Sequence, residues 1–163
     1  MVKTMMKSLA VAGAFMMAAA ATPAAAQGNL LTDWGIDDVK QAFTNVGVTV
    51  TDSGTEESGA LYVYGKTAEG MKFLAYGTVC SGTPKRCKGL NLSAGFTLDS
   101  SAEVDRRVKE IDRMAVGVRN GGENSLDVNR YVIFDDGITR KNLEMNISVF
   151  LGISDDIWNG GGT

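Results

Sequence analysis

The sequence predicts an α+β domain, an antiparallel β-sheet with helices packed on one face, in the order α-ββββ-α-ββ-α. Three observations predict it. The stretch KGLNLSAGFTL (88–98) alternates strictly, with Leu90, Leu92, Ala94, Phe96 and Leu98 on one side and Asn91, Ser93, Gly95 and Thr97 on the other. That is the pattern of a half-buried antiparallel strand. The β-rich runs around it are separated by short polar turns, as in a meander. Three further segments repeat apolar residues at helical spacing, and each such helix needs a covered face.

The chain opens with MVKTMMKSLAVAGAFMMAAAATPAAAQG. Lys3 and Lys7 form a positive n-region, Leu9 to Ala21 an apolar h-region, and Ala24-Ala25-Ala26 a small-residue cleavage signal. This is the layout of a secretory signal peptide over residues 1–26. Cleavage after Ala26 would leave 137 residues with a formal charge of −5, delivered to the periplasm or the medium. A mildly acidic chain does not suit nucleic acid or anionic lipid, and no second long apolar run marks a membrane span in the mature part.

Residues 27–35 read as a flexible lead-in and 36–157 as a single domain. Ile36, Val39, Phe43 and Val46 form the first helical stripe, with Asp37 and Asp38 in the first turn and Gly47 as its end. Strand signals follow in VTVTD (48–52), ALYVYG (60–65) and MKFLAYGTV (71–79), before the cysteine turn and the alternating run. Ser100 or Ser101 caps a second helix carrying Val104, Val108 and Ile111. MAVGVRN (114–120) and SLDVNRYVIFD (125–135) form a hairpin, and Leu126, Val128 and Tyr131 imply a parity change near Asn129.

The last helix, about 138–155, has two apolar sides. Leu143, Ile147 and Leu151 make one; Ile138, Met145, Val149 and Ile153 make the other. One side can take the sheet, and the other requires a neighbouring helix, a second subunit or a client. Residues 158–163, with Trp158 and three glycines, read as a flexible tail.

Cys80 and Cys87 are the only cysteines, and the chain has no histidine. In an oxidising compartment two cysteines pair. A zinc site lacks its other ligands, and C-x6-C is not the spacing of a thiol oxidoreductase. A structural Cys80–Cys87 disulfide follows, contributing about 2–2.5 kcal/mol by chain entropy.

Catalytic motifs are lacking. Without histidine, Ser-His and Cys-His pairs are excluded. No phosphate loop, dinucleotide fingerprint or nucleophile elbow occurs. Asp135, Asp136 and Glu123 are the carboxylates an enzyme reading would use; Asp135-Asp136-Gly137 also reads as a plain turn. No metal site or cofactor is expected. Tyr62 and Tyr64 share one strand face, as a cross-strand packing cluster or as an aromatic platform for a small ligand. Lys85, Arg86 and Lys88 form a basic knob on the cysteine turn.

The run C-x6-C-x2-L-x-L-x-A-G-F (80–96), followed by VDRRVKEIDRMAVGVRN, SLDVNRYVIF and DDGITRKNLEMNISVF, resembles the YbjN domain family over about 36–155. The resemblance implies an α+β fold similar to type III secretion chaperones, often dimeric, and no enzymatic activity; the family carries the label of sensory transduction regulator. The expected function is therefore protein–protein binding by an exported domain, chaperone-like or regulatory, through a sheet face or through Ile138, Met145, Val149 and Ile153. A ligand carrier and an Asp/Glu hydrolase are the rival readings.

Overall fold

The computed structural model describes residues 30–111, 115–119 and 122–159. The expected signal peptide lies outside the described residues. The elements are α1 (Ile36–Asn45), β1 (Thr49–Thr55), β2 (Leu61–Lys66), β3 (Lys72–Ser81), β4 (Arg86–Thr97), α2 (Ser101–Ile111), β5 (Val116–Arg119), β6 (Ser125–Ile133) and α3 (Arg140–Trp158). The order is the expected one. All strand pairs are antiparallel, in one sheet ordered β1-β2-β3-β4-β6-β5.

Alternation divides the sheet into two unlike faces. Leu61 and Val63 on β2, Phe73 and Ala75 on β3, Leu90, Leu92, Ala94 and Phe96 on β4, and Leu126, Val128 and Val132 on β6 are all buried. Helices α1, α2 and α3 contribute Val39, Phe43, Val104, Ile111, Leu143, Ile147 and Phe150 to the same core. Phe73 touches Phe43 of α1 and Phe150 of α3, with ring centroids 5.0 and 5.6 Å away. The expected cap of α2 forms, with Ser100 Oγ accepting the Glu103 N–H, and Thr139 Oγ1 caps α3 by accepting the Asn142 N–H.

Four expectations need correction. Residues 31–35 are not a loose lead-in. Leu31 pairs with Ile138, Trp34 pairs with Cys87, and the fully buried Trp34 donates its indole N–H to the Gly89 carbonyl at 2.9 Å. The bulge is in β1 rather than β6. The β1 register shifts between Val50 and Asp52, whereas β4 and β6 pair without a break from Gly89↔Ile133 to Thr97↔Ser125. The apparent parity change came from Arg130, which occupies the helix-side parity and donates from Nε to Asn146 Oδ1 of α3 at 3.0 Å. Third, α3 continues through Trp158, so Trp158 belongs to the helix.

The fourth concerns the two apolar sides of α3. Its buried stripe is Leu143, Ile147, Phe150, Ser154 and Ile157, with Ile153 on its flank at 6% exposure. Ile153 therefore belongs to the core and not to a second face. Ile138 and Val149 are half-buried against that core, and only Met145 stands free, at 53% exposure. The cover comes from within the chain. Leu31 pairs with Ile138, and α1 lies beside α3, where Asn45 donates to Glu144 and Arg140 reaches Asp38.

Cys80 and Cys87 face one another across β3 and β4, 4.0 Å apart at Cα, and form a disulfide. The basic knob beside it is largely structural. Arg86 binds Asp33 and, at 2.8 Å, Asp38, while Lys88 donates to the Thr32 carbonyl. Burial opposes the Asp38 charge. The Gly35 N–H, Arg86 and Arg140 outweigh it, and the carboxyl pKa is lowered.

Candidate tyrosine face

The helices leave the other side of the sheet open, and alternation determines what stands on it. The register of β2, β3, β4 and β6 places Tyr62, Tyr76, Asn91 and Tyr131 in one row, with Gly54 of β1 at its end. The next row is Asp52, Tyr64, Leu74, Ser93, Asn129 and Val116. On the other side of the first row lie Thr78, Gly89 and Ile133. All four tyrosines of the chain are thus on one face. In these three rows the only charged residue is Asp52.

Local contacts hold the rings in place. The Tyr131 phenol crosses over Gly89 to meet Thr78 Oγ1 at 2.6 Å, so the strand between them must carry a residue without a Cβ. A Cβ on Gly54 would stand 2.8 Å from the Tyr62 hydroxyl, so that ring also lies flat over a glycine. Tyr62 and Tyr64 meet edge to face with centroids 5.8 Å apart. Tyr76 donates to Glu56 at 3.2 Å, and Asn91 Nδ2 donates to Asn129 Oδ1 at 3.3 Å. The rings remain accessible: Tyr64 is 42% and Tyr131 52% exposed. The Asp52 carboxylate beside Tyr62, with desolvation adding to it, raises that phenol's pKa.

The sequence-predicted pair Tyr62 and Tyr64 is part of this face. The sequence reading missed Tyr131, which it grouped with Leu126 and Val128 as the sign of a parity change. It also missed Asp52, which reaches the face because the β1 bulge at Thr51 puts it opposite Tyr64. Glu123 and Asp135–Asp136 do not come together. They flank opposite ends of the nine-residue β6, about 30 Å apart by strand rise. Among the described residues no group of three or more His, Cys, Asp or Glu side chains is arranged to hold a metal ion. Among them, too, no helix is long and apolar enough to cross a membrane.

No family model matches the chain, and no curated protein matches it. A solved structure does share the fold, an uncharacterized protein from Methanothermobacter thermautotrophicus. It has a TM-score of 0.51 and 13% sequence identity, and the alignment covers 77% of this chain and 98% of that one. At that identity the likeness concerns the fold alone.

Proposed function

We propose that this chain is an exported, YbjN-like binding domain without enzymatic activity, and that it engages a partner protein through the tyrosine face. The observation that carries the reading is the gathering of all four tyrosines, with Asn91, Asn129, Ser93 and Thr78, on the sheet face opposite the one against which the described helices pack. Tyrosine supplies a large, amphipathic contact area with few rotatable bonds, and asparagine, serine and glycine supply adaptable hydrogen bonding. A face of this composition tolerates water when free and binds protein when met. The disulfide fits an oxidising compartment, in keeping with the secretory leader. The carboxylates an enzyme reading would need lie at opposite ends of β6, which favours binding over hydrolysis. The α3 stripe is the weaker surface, since Met145 alone of its four residues stands free.

The test is site-specific photocrosslinking in intact cells that express the protein. A photoreactive residue is placed at Tyr131 in one variant and at Met145 in another, and captured material is identified by mass spectrometry. The expected result is one reproducible heterologous partner from position 131 and none from 145. Capture from 145 alone transfers the interface to α3, and no capture from either folded variant overturns the reading.

A further inference from the structure

The open face is nearly free of charge in its middle, but one corner is strongly acidic. Asp52, Glu56 and Glu57 gather where β1 turns into β2 and, with Thr55, Ser58, Tyr62 and Tyr64, line an open cleft of about 590 Å³. Among the described residues no ion pair involves any of these three carboxylates. Lys85 places its Nζ against Gly59, next to Ser58 of the cleft, and among the described residues it too makes no ion pair. The raised pKa of Tyr62, caused first by Asp52, reports the negative potential in the cleft.

Charge and ring geometry select the same kind of occupant. Carboxylates attract a cation, and the tyrosine rings add a cation–π attraction. An acidic or purely apolar side chain would leave three carboxylates desolvated without compensation. The surplus of acids over bases in the chain, with a net charge of −3, draws a basic partner from farther away.

We propose that this cleft seats a lysine or arginine side chain of the protein that docks on the tyrosine face, so that the partner's contact surface is basic at the Asp52–Glu57 corner. The inference rests on the protein-binding reading and specifies its chemistry.

The test is an NMR titration of the isotope-labelled protein at physiological salt with three probes: a blocked hexalysine peptide, tetramethylammonium, and a blocked hexaglutamate peptide. The expected result is hexalysine binding at millimolar concentration, with shifts centred on the amides of residues 52–58 and 62–64. It should weaken about fivefold in the Glu56→Gln/Glu57→Gln variant and about threefold in Tyr64→Ala, with the Tyr131 amide unmoved as evidence of an intact sheet. Hexaglutamate should give nothing. Equal binding of tetramethylammonium would overturn the peptide side chain as occupant and make the cleft a site for free organic cations. Shifts unaffected by Tyr64→Ala would reduce the effect to counterion attraction and overturn the seat. No shift with any cation overturns the inference while leaving the tyrosine face to its own crosslinking test.

Discussion

Replacing Ser154 by alanine is predicted to stabilise the protein, against the general run of core substitutions. Ser154 lies in α3, is fully buried, and among the described residues its Oγ has no hydrogen-bond partner. A buried hydroxyl without a partner costs about 1–3 kcal/mol in desolvation. Removing it recovers that cost, and the change from serine to alanine inside a helix adds about 0.5 kcal/mol. Against this stand a few lost dispersion contacts at about 0.1–0.2 kcal/mol each. The net expectation is a gain of about 1–2 kcal/mol, or a rise in Tm of about 3–8 °C for a domain of this size. Ser148→Ala is the control. That residue is on the wet side of the same helix and donates to the Glu144 carbonyl at 2.9 Å, so its substitution should change stability by about 0.5 kcal/mol or less. The assay is urea unfolding followed by circular dichroism, with the denaturant slope checked for constancy. A loss of more than about 0.5 kcal/mol in Ser154→Ala, with the slope unchanged, would show that the hydroxyl is satisfied and the reasoning wrong.

Two further predictions test the N-terminal attachment. Trp34→Phe should cost about 2–3 kcal/mol in urea unfolding, because it strands the Gly89 carbonyl and leaves part of a fully buried indole site empty; an effect below about 0.5 kcal/mol would mean that residues 31–35 are not part of the domain. Asp38 has a folded pKa below its unfolded value near 3.9, so its contribution to stability is present above that pH and is lost as pH falls through the lower folded value. Asp38→Asn should therefore reduce stability at neutral pH and flatten the acid limb of the stability curve, and an unchanged acid limb would refute the role given to Arg86 and Arg140.

How much of this was legible in the sequence depended on the distance over which each pattern acts. The alternation of 88–98 and the stripe at Ile36, Val39 and Phe43 are local, and they predicted β4 and α1. The cysteine pair needed only a compartment and a count. The long-range partners were not legible. Trp34 is buried by strands about 55 positions away, and nothing near it in sequence announces that. Arg130 misled because a charged residue at core parity looks like a break in alternation; its guanidinium is accepted by Asn146 of a helix that follows. The β1 bulge was invisible for the opposite reason. VTVTD alternates so well that the inserted Thr51 leaves no trace in the pattern. In α3 the stripe was drawn through Leu151 instead of Phe150 and Ser154, and a buried serine is the kind of residue a hydrophobic pattern omits.

The edges of the sheet explain why a partner would meet the face rather than add a strand. An exposed edge strand recruits other strands unless it is short, bent or charged. β5 has four residues. β1 is interrupted by its bulge and carries Asp52 and Gly54 where a long hydrophobic edge would otherwise run. Both edges are thus poor templates for strand addition. The face between them is different. The rings of Tyr62 and Tyr131 lie over glycines, Thr78 and Asn91 are tied to neighbours within the sheet, and Tyr64 and Tyr131 stay accessible. The substitutions that blunt the β1 edge also equip the corner of the face, since Asp52 is opposite Tyr64 and Gly54 is opposite Tyr62. The bulge in β1 therefore weakens strand addition at that edge, and with it Asp52 stands among the tyrosines although VTVTD alternates from Val50. Deleting Thr51 would remove the bulge and keep Asp52 opposite Tyr64, so it would restore a regular edge while leaving the acidic corner in place.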